Sequence, residues 1–176
     1  MSEHVRVLFS EEQVRERIAE MGQQISRDYE GKQIHVICAL KGGVMFMCDL
    51  AKSITVPLTM DFMSVSSYGS GTTSSGIVKI VKDLDESIEG KDVLVVEDIV
   101  DTGRTLSHLL GMLQQRNPKS LQLCTLLDKP SGRVVEGIEV AYSGFVIPDC
   151  FVVGYGLDYD QRYRNLPFVG ILSFED

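Results

Sequence analysis

Residues Val93 to Thr105 carry the densest chemistry in the sequence. The apolar residues Val93-Leu94-Val95-Val96 run into two acids, Glu97 and Asp98, and then through Ile99 and Val100 into Asp101-Thr102-Gly103-Arg104-Thr105. A helical apolar pattern follows from Leu106 to Leu113, so the spacing predicts a buried strand, an acidic strand end, a tight turn and a helix. Such a turn is suited to an anion. Backbone N–H groups of the loop and first helical turn lack intrahelical partners, Gly103 permits close approach, and Thr102 and Thr105 add hydroxyl donors. Two carboxylates beside this cradle would repel a bare phosphate. They suit a phosphorylated sugar, whose vicinal hydroxyls can donate to Glu97 and Asp98.

The elements that must position these residues follow from periodicity. Ser10-Glu11-Glu12 ahead of Val14, Ile18, Met21 and Ile25 reads as an N-cap, an acidic first turn and a helical apolar stripe. Ile34 to Leu40, then Lys41-Gly42-Gly43, then Val44 to Leu50 reads as strand, loop and helix. Leu58 to Val65, Ile77 to Val81, Leu121 to Leu127, Val140 to Ile147 and Cys150 to Val153 are further strand candidates, and Asn117-Pro118 ends the helix before Leu121 to Leu127. Strands alternating with helices at short spacing predict an α/β domain with a mostly parallel sheet covered by helices on both faces. Ligands in such sheets bind beyond the carboxyl ends of the strands, where the motif sits. The small, polar stretch Ser66 to Gly76 has little to bury and is expected to be mobile.

Composition narrows the function classes. The 176 residues suffice for one domain with its own core. Acids outnumber bases 25 to 17, the net charge is −8, and no basic cluster exists, which argues against nucleic acid and anionic membrane as partners. An acidic chain binds a polyanion only with local donors and a divalent cation, so Mg²⁺ is the expected cofactor. The first nine residues lack the apolar stretch of a signal peptide and no apolar run approaches a membrane span, giving a cytoplasmic reading. Cys38, Cys48, Cys124 and Cys150 show no metal or redox spacing and are expected to be buried reduced thiols. His4, His35 and His108 match no motif.

The string at positions 97–105, Glu-Asp-Ile-Val-Asp-Thr-Gly-Arg-Thr, resembles the phosphoribosyl-pyrophosphate signature of type I phosphoribosyltransferases, in the form used by the hypoxanthine-guanine enzymes of that family. Further blocks match in order along nearly the whole chain. Leu40-Lys41-Gly42-Gly43 resembles the pyrophosphate loop, whose Leu–Lys peptide is often cis, and the segment Ser67 to Gly76, beginning Ser67-Tyr68, resembles the active-site lid. Lid closure would exclude water from an oxocarbenium-like transition state.

The resemblance implies a role for each matched residue. Lys41, Gly42 and Arg164 would contact pyrophosphate, Glu97 and Asp98 the ribose hydroxyls, and Asp101, Thr102, Gly103, Arg104 and Thr105 the 5′-phosphate. Asp101 would also be the general base taking the purine's imidazole proton; adenine- and orotate-specific relatives carry Ala or Thr there. A helix N-cap is the plain alternative for Asp101. Lys129 would donate to the exocyclic oxygen of a 6-oxopurine, Phe151 would stack on the base, the Val152 backbone and Asp158 would read its edge, and Glu97, Asp98 and Asp158 would serve Mg²⁺. Without that context Lys129 and Arg164 are ordinary surface cations and Phe151 a core aromatic. Gly156 stands where some relatives have Ala, a small change that casts no doubt on the implied function.

The implied fold is one domain, residues 1–176, with a twisted, mostly parallel sheet and a small hood built from the chain ends. The implied reaction joins hypoxanthine or guanine to 5-phosphoribosyl 1-pyrophosphate, giving IMP or GMP and pyrophosphate, in a homodimer or homotetramer. A regulator on the same fold that binds RNA would need a basic face, and none is visible. A P-loop or Rossmann protein would need GxxxxGK[ST] or a complete GxGxxG, and neither is present.

Overall fold

The computed structural model describes residues 2–67 and 78–175. In chain order the elements are β1 Ser2–Phe9, α1 Glu11–Asp28, β2 Ile34–Ala39, α2 Val44–Ser53, β3 Leu58–Ser67, β4 Val78–Lys82, β5 Asp92–Val100, α3 Arg104–Gln114, β6 Ser120–Asp128, a 3₁₀ turn Pro130–Gly132, β7 Tyr142–Val146, β8 Val152–Val153 and β9 Val169–Glu175. Tyr68 and the rest of the expected lid lie outside the described residues.

The main sheet has the order β4-β3-β2-β5-β6-β7. Its strands are parallel except β4, which runs antiparallel to β3. From β2 the chain moves outward to β3 on one side, then returns to place β5 on the other side of β2 and continues to β6. The order therefore reverses between β2 and β5, and the loops leaving these two strands diverge over a crevice. Those loops are Leu40 to Gly43 and Asp101 to Gly103.

Strand β5 is buried on both faces, and alternation sorts its residues between two cores. Leu94 and Val96 join Val14, Ile18, Met21 and Ile25 of α1 and Phe46, Met47 and Leu50 of α2. Val93 and Val95 join Ile37, Met63 and the α3 residues Leu106, Leu109 and Leu113. Helix α1 starts at the expected N-cap. The Gln13 N–H donates to Ser10 Oγ at 3.1 Å, and the Ser10 N–H donates back to Gln13 Oε1 at 2.8 Å.

The hood is a three-stranded antiparallel sheet, β1-β9-β8. The apolar run Cys150 to Val153 thus contributes only its last two residues as a strand, to the hood and not to the main sheet. All four cysteines are free, but Cys48 is exposed and Cys150 half-buried, against the expectation of burial. Helix α2 turns Phe46, Met47 and Leu50 inward, which sends Cys48 outward. His35 is buried, with Nδ1 2.7 Å from Thr59 Oγ1, so it is part of the scaffold.

Candidate active site

Two cavities open over the crevice. One, of about 270 Å³, is lined by the β2 loop (Leu40, Gly42), by Glu97 to Val100, and by the whole run Asp101 to Thr105. The other, of about 230 Å³, is lined by Lys129, Cys150, Phe151, Val152, Leu157 and Asp158. Asp98, Ile99 and Asp101 line both, so the two meet along the end of β5. Glu97 lines only the first, because alternation along the strand sends Glu97 and Asp98 to opposite faces.

The acid pair is held in a costly state. Burial, and then the neighbouring Asp98 charge, push the Glu97 carboxyl well above the ordinary range. Burial also raises Asp98, opposed by the Ile99 N–H, which donates to Asp98 Oδ1 at 2.8 Å, and by the Arg164 charge, and reinforced by the Asp158 charge. Among the described residues no group of three His, Cys, Asp or Glu side chains is assembled to hold a metal ion.

Close backbone approach explains two glycines. An added Cβ on Gly42 would lie 1.9 Å from Asp98 Oδ2, so only glycine lets the carboxylate pack against this loop. A Cβ on Gly156 would lie 2.2 Å from the Gly42 carbonyl oxygen, and Gly156 has φ +98°. An alanine at 156 would therefore not fit this chain as it is folded. The clash is with backbone, which cannot rotate away, and the φ is strained for any L side chain. The Leu40–Lys41 peptide is cis, as the resemblance implied.

At the other end of the crevice, helix α3 is capped by Gly103, with φ +81° and no side-chain cap hydrogen bond. Asp101 is not the N-cap. Its Oδ2 lies 3.1 Å from Lys129 Nζ, which is also 3.6 Å from Asp149 Oδ1. Burial works to lower the Lys129 pKa, but the Asp101 hydrogen bond and the Asp101 and Asp149 charges outweigh it and hold it above the ordinary value.

The chain from 129 to 134 braces the turn from behind. Lys129 N–H donates to Val100 O at 3.0 Å and Val134 N–H to Thr102 O at 3.0 Å. Arg133 Nε donates to Asp101 O at 3.1 Å while its terminal nitrogen pairs with Asp128.

A third loop closes the crevice from the hood side. Arg164 donates to the Gly156 carbonyl at 2.8 Å and pairs with Asp158 at 3.1 Å. Gln161 Oε1 accepts from Lys41 Nζ at 3.2 Å and from Arg164 at 3.3 Å, linking the β2 loop to the hood loop. Its own N–H donates to Asp158 Oδ2 at 2.9 Å.

A family model described as "Phosphoribosyl transferase domain" matches residues 7–160. The chain belongs to the phosphoribosyltransferase family. Among similar members, the hypoxanthine-guanine phosphoribosyltransferase of Streptococcus thermophilus is 53% identical over 97% of this chain and 94% of that protein. The crystal structure of a hypoxanthine phosphoribosyltransferase from Staphylococcus aureus has a TM-score of 0.92 at 52% identity, covering 96% of this chain and 91% of that one. The bifunctional protein TilS/HprT of Listeria monocytogenes is 58% identical over 97% of this chain, but the chain spans only 26% of that relative's length.

Within this phosphoribosyltransferase the sequence-predicted residues Lys41, Gly42, Glu97, Asp98, Asp101 to Thr105, Lys129, Phe151, Val152, Asp158 and Arg164 surround one crevice. Ser67 ends β3, pairing with Val78 at the base of the expected lid. Sequence reading missed Gln161, Arg133 and Asp149. A Gln in a charged loop and a lone Arg after a 3₁₀ turn give no local signal; each acts through a neighbour that only the folded loop supplies.

Proposed function

We propose that this chain is a purine-salvage enzyme that transfers the phosphoribosyl group of 5-phosphoribosyl 1-pyrophosphate to hypoxanthine and guanine. The observation that carries this reading is the meeting of the two cavities at Asp98 and Asp101, with Lys129 bound to Asp101 on the side of Phe151. The first cavity is assigned to the phosphoribosyl group. There the 101–105 loop holds the 5′-phosphate with backbone and hydroxyl donors, and Glu97 and Asp98 accept from the ribose hydroxyls. The second is assigned to the base, stacked on Phe151 with its edge read by the Val152 backbone and Asp158. Lys129, a donor-only group, favours a 6-oxo substituent over a 6-amino one.

In the reaction the purine's ring nitrogen forms the bond to the anomeric carbon as the bond to pyrophosphate breaks, with inversion. Asp101 accepts the proton that the purine loses. Lys41 and Arg164, steadied by Gln161, meet the charge that develops on the departing pyrophosphate. Burial is the main reason that Glu97 and Asp98 are raised, and a hard cation that needs one or two carboxylates and takes its other oxygens from substrate and water would offset the cost of their charge. Glu97, Asp98 and Asp158 are not gathered into one cage, so each would hold Mg²⁺ singly or through water and substrate oxygens, and the ion would supply charge balance on the pyrophosphate side. No helix of the described residues is long and apolar enough to cross a membrane. We place the enzyme in the cytoplasm as a homodimer or homotetramer.

The test is a panel of initial rates with phosphoribosyl pyrophosphate, Mg²⁺ and hypoxanthine, guanine, xanthine, adenine or orotate. Turnover of hypoxanthine and guanine with adenine and orotate inert is the expected result. Preferred use of adenine or orotate would overturn the reading of Lys129 and of the base cavity.

A further inference from the structure

Phe151 is 52% exposed at the mouth of the second cavity, an unsupported position for a ring that must present one face to a planar ligand. Its only ring neighbour among the described residues is Tyr159, with centroids 5.9 Å apart and planes at 88°. Tyr159 meets Phe174 of β9 in turn, at 5.3 Å and 63°. Both geometries are the edge-to-face arrangement that aromatic quadrupoles favour.

Tyr159 is itself anchored. It opens a tight turn in which Asp160 and Gln161 have φ 50° and 63°, closed by Tyr159 N–H to Arg162 O at 3.1 Å and Arg162 N–H to Tyr159 O at 2.9 Å. The Arg162 guanidinium lies over the Tyr159 ring at 5.6 Å and pairs with Glu3 at 2.6 Å. Glu3 on β1 is the register partner of Phe174 on β9. The chain ends therefore converge on one side of Tyr159, and the base cavity lies on the other.

We propose that Tyr159 and Phe174 are positioning residues for base stacking: they fix the plane of Phe151, and the Glu3–Arg162 pair keeps Tyr159 against it. This rests on Phe151 being the stacking platform. Neither residue touches the phosphoribosyl cavity, so the effect falls on the base alone.

Steady-state kinetics of Tyr159→Leu, Phe174→Ala, Tyr159→Phe and Phe151→Ala test it, with KM measured separately for hypoxanthine and for phosphoribosyl pyrophosphate. Loss of one edge contact is expected to raise the hypoxanthine KM about 2- to 10-fold in Tyr159→Leu and Phe174→Ala. The phosphoribosyl pyrophosphate KM should stay unchanged, and Tyr159→Phe, which keeps the ring, should match wild type. If Phe151→Ala raises the hypoxanthine KM but the other two do not, the positioning role is overturned and the stacking role stands. If Phe151→Ala has no effect, the stacking role falls and takes this proposal with it. A parallel rise of both KM values in Tyr159→Leu would make Tyr159 a brace for the Asp158–Arg164 turn, and would equally overturn it.

Discussion

A carboxylate just before a helix ordinarily turns to the helix's free N–H groups, yet Asp101 faces Lys129, because Gly103 starts α3 without a side-chain cap. That leaves the carboxylate at the junction of the two cavities, where the proposed reaction would have it accept the base's proton. Asp101→Asn keeps the shape but cannot accept the proton, so kcat is expected to fall about 10²- to 10⁴-fold. Binding of phosphoribosyl pyrophosphate, measured by calorimetry, should change little; an unchanged kcat would leave Asp101 only the role of holding Lys129. Lys129→Gln tests polarity instead of proton transfer, since an amide offers either a donor or an acceptor. The ratio of kcat/KM for hypoxanthine over adenine should drop by about tenfold or more, as expected when a buried group no longer rejects the wrong partner at 1–3 kcal/mol. Equal losses on both bases would move base choice to the Val152 backbone. Asp101 was placed at the crevice by the signature itself, and Lys129 only by the resemblance. Arg133 and Gln161 were not legible, since their partners lie on other loops.

The elements of the main sheet were legible because their burial imposes clear periods: two faces of β5 fill two cores, and α1 and α3 each show one apolar stripe. The hood was legible only as an expectation of the family. Strand β1 alternates only briefly and buries no residue fully, and β9 buries Val169, Gly170 and Leu172 but exposes its last three residues, so neither carries a long periodic signal. Strand β5 also continues through Glu97 to Val100, past the apolar run, because Glu97 and Ile99 stay paired with Thr125 and Leu127 of β6. Contact between loops was the least legible feature, as Gly156 shows. Gly156→Ala is expected to push the hood loop off the β2 loop and separate Arg164 and Gln161 from Lys41, at a cost of about 1–3 kcal/mol in stability. The KM for phosphoribosyl pyrophosphate should rise with little change in base affinity. Wild-type kinetics and an unchanged Tm in this variant would show that the two loops are not in register as described.

At the scale of the whole molecule, the reversal of strand order between β2 and β5 places an acid pair at a buried crevice in a chain whose net charge is −8. Function and stability then pull in opposite directions. A carboxyl whose folded-state pKa lies above its ordinary value contributes stability that is fully present below that value, 4.5 for Glu97, and lost as pH rises through the folded pKa. As pH rises above this ordinary value the ligand-free protein therefore carries a cost at Glu97, because burial, and then Asp98, make the charge on this carboxyl less favourable than in the unfolded chain. Glu97→Gln removes that charge, and should raise the ligand-free Tm at pH 7.5 by about 2–8 °C, corresponding to about 1–2 kcal/mol. The gap to wild type should narrow as pH is lowered toward 4.5. His35, whose pKa is depressed by burial and then by the Lys91 charge, acts the other way, destabilising the fold as pH falls, but both proteins share it and it drops out of the difference. With phosphoribosyl pyrophosphate and Mg²⁺ present the order should reverse, because wild type binds them more tightly and gains the larger shift. Thermal melts of both proteins across pH, with and without ligand, decide the matter. A variant no more stable than wild type at pH 7.5 would mean that Glu97 is not a strained acid, and one stabilised by ligand to the same extent would mean that it is not a ribose contact.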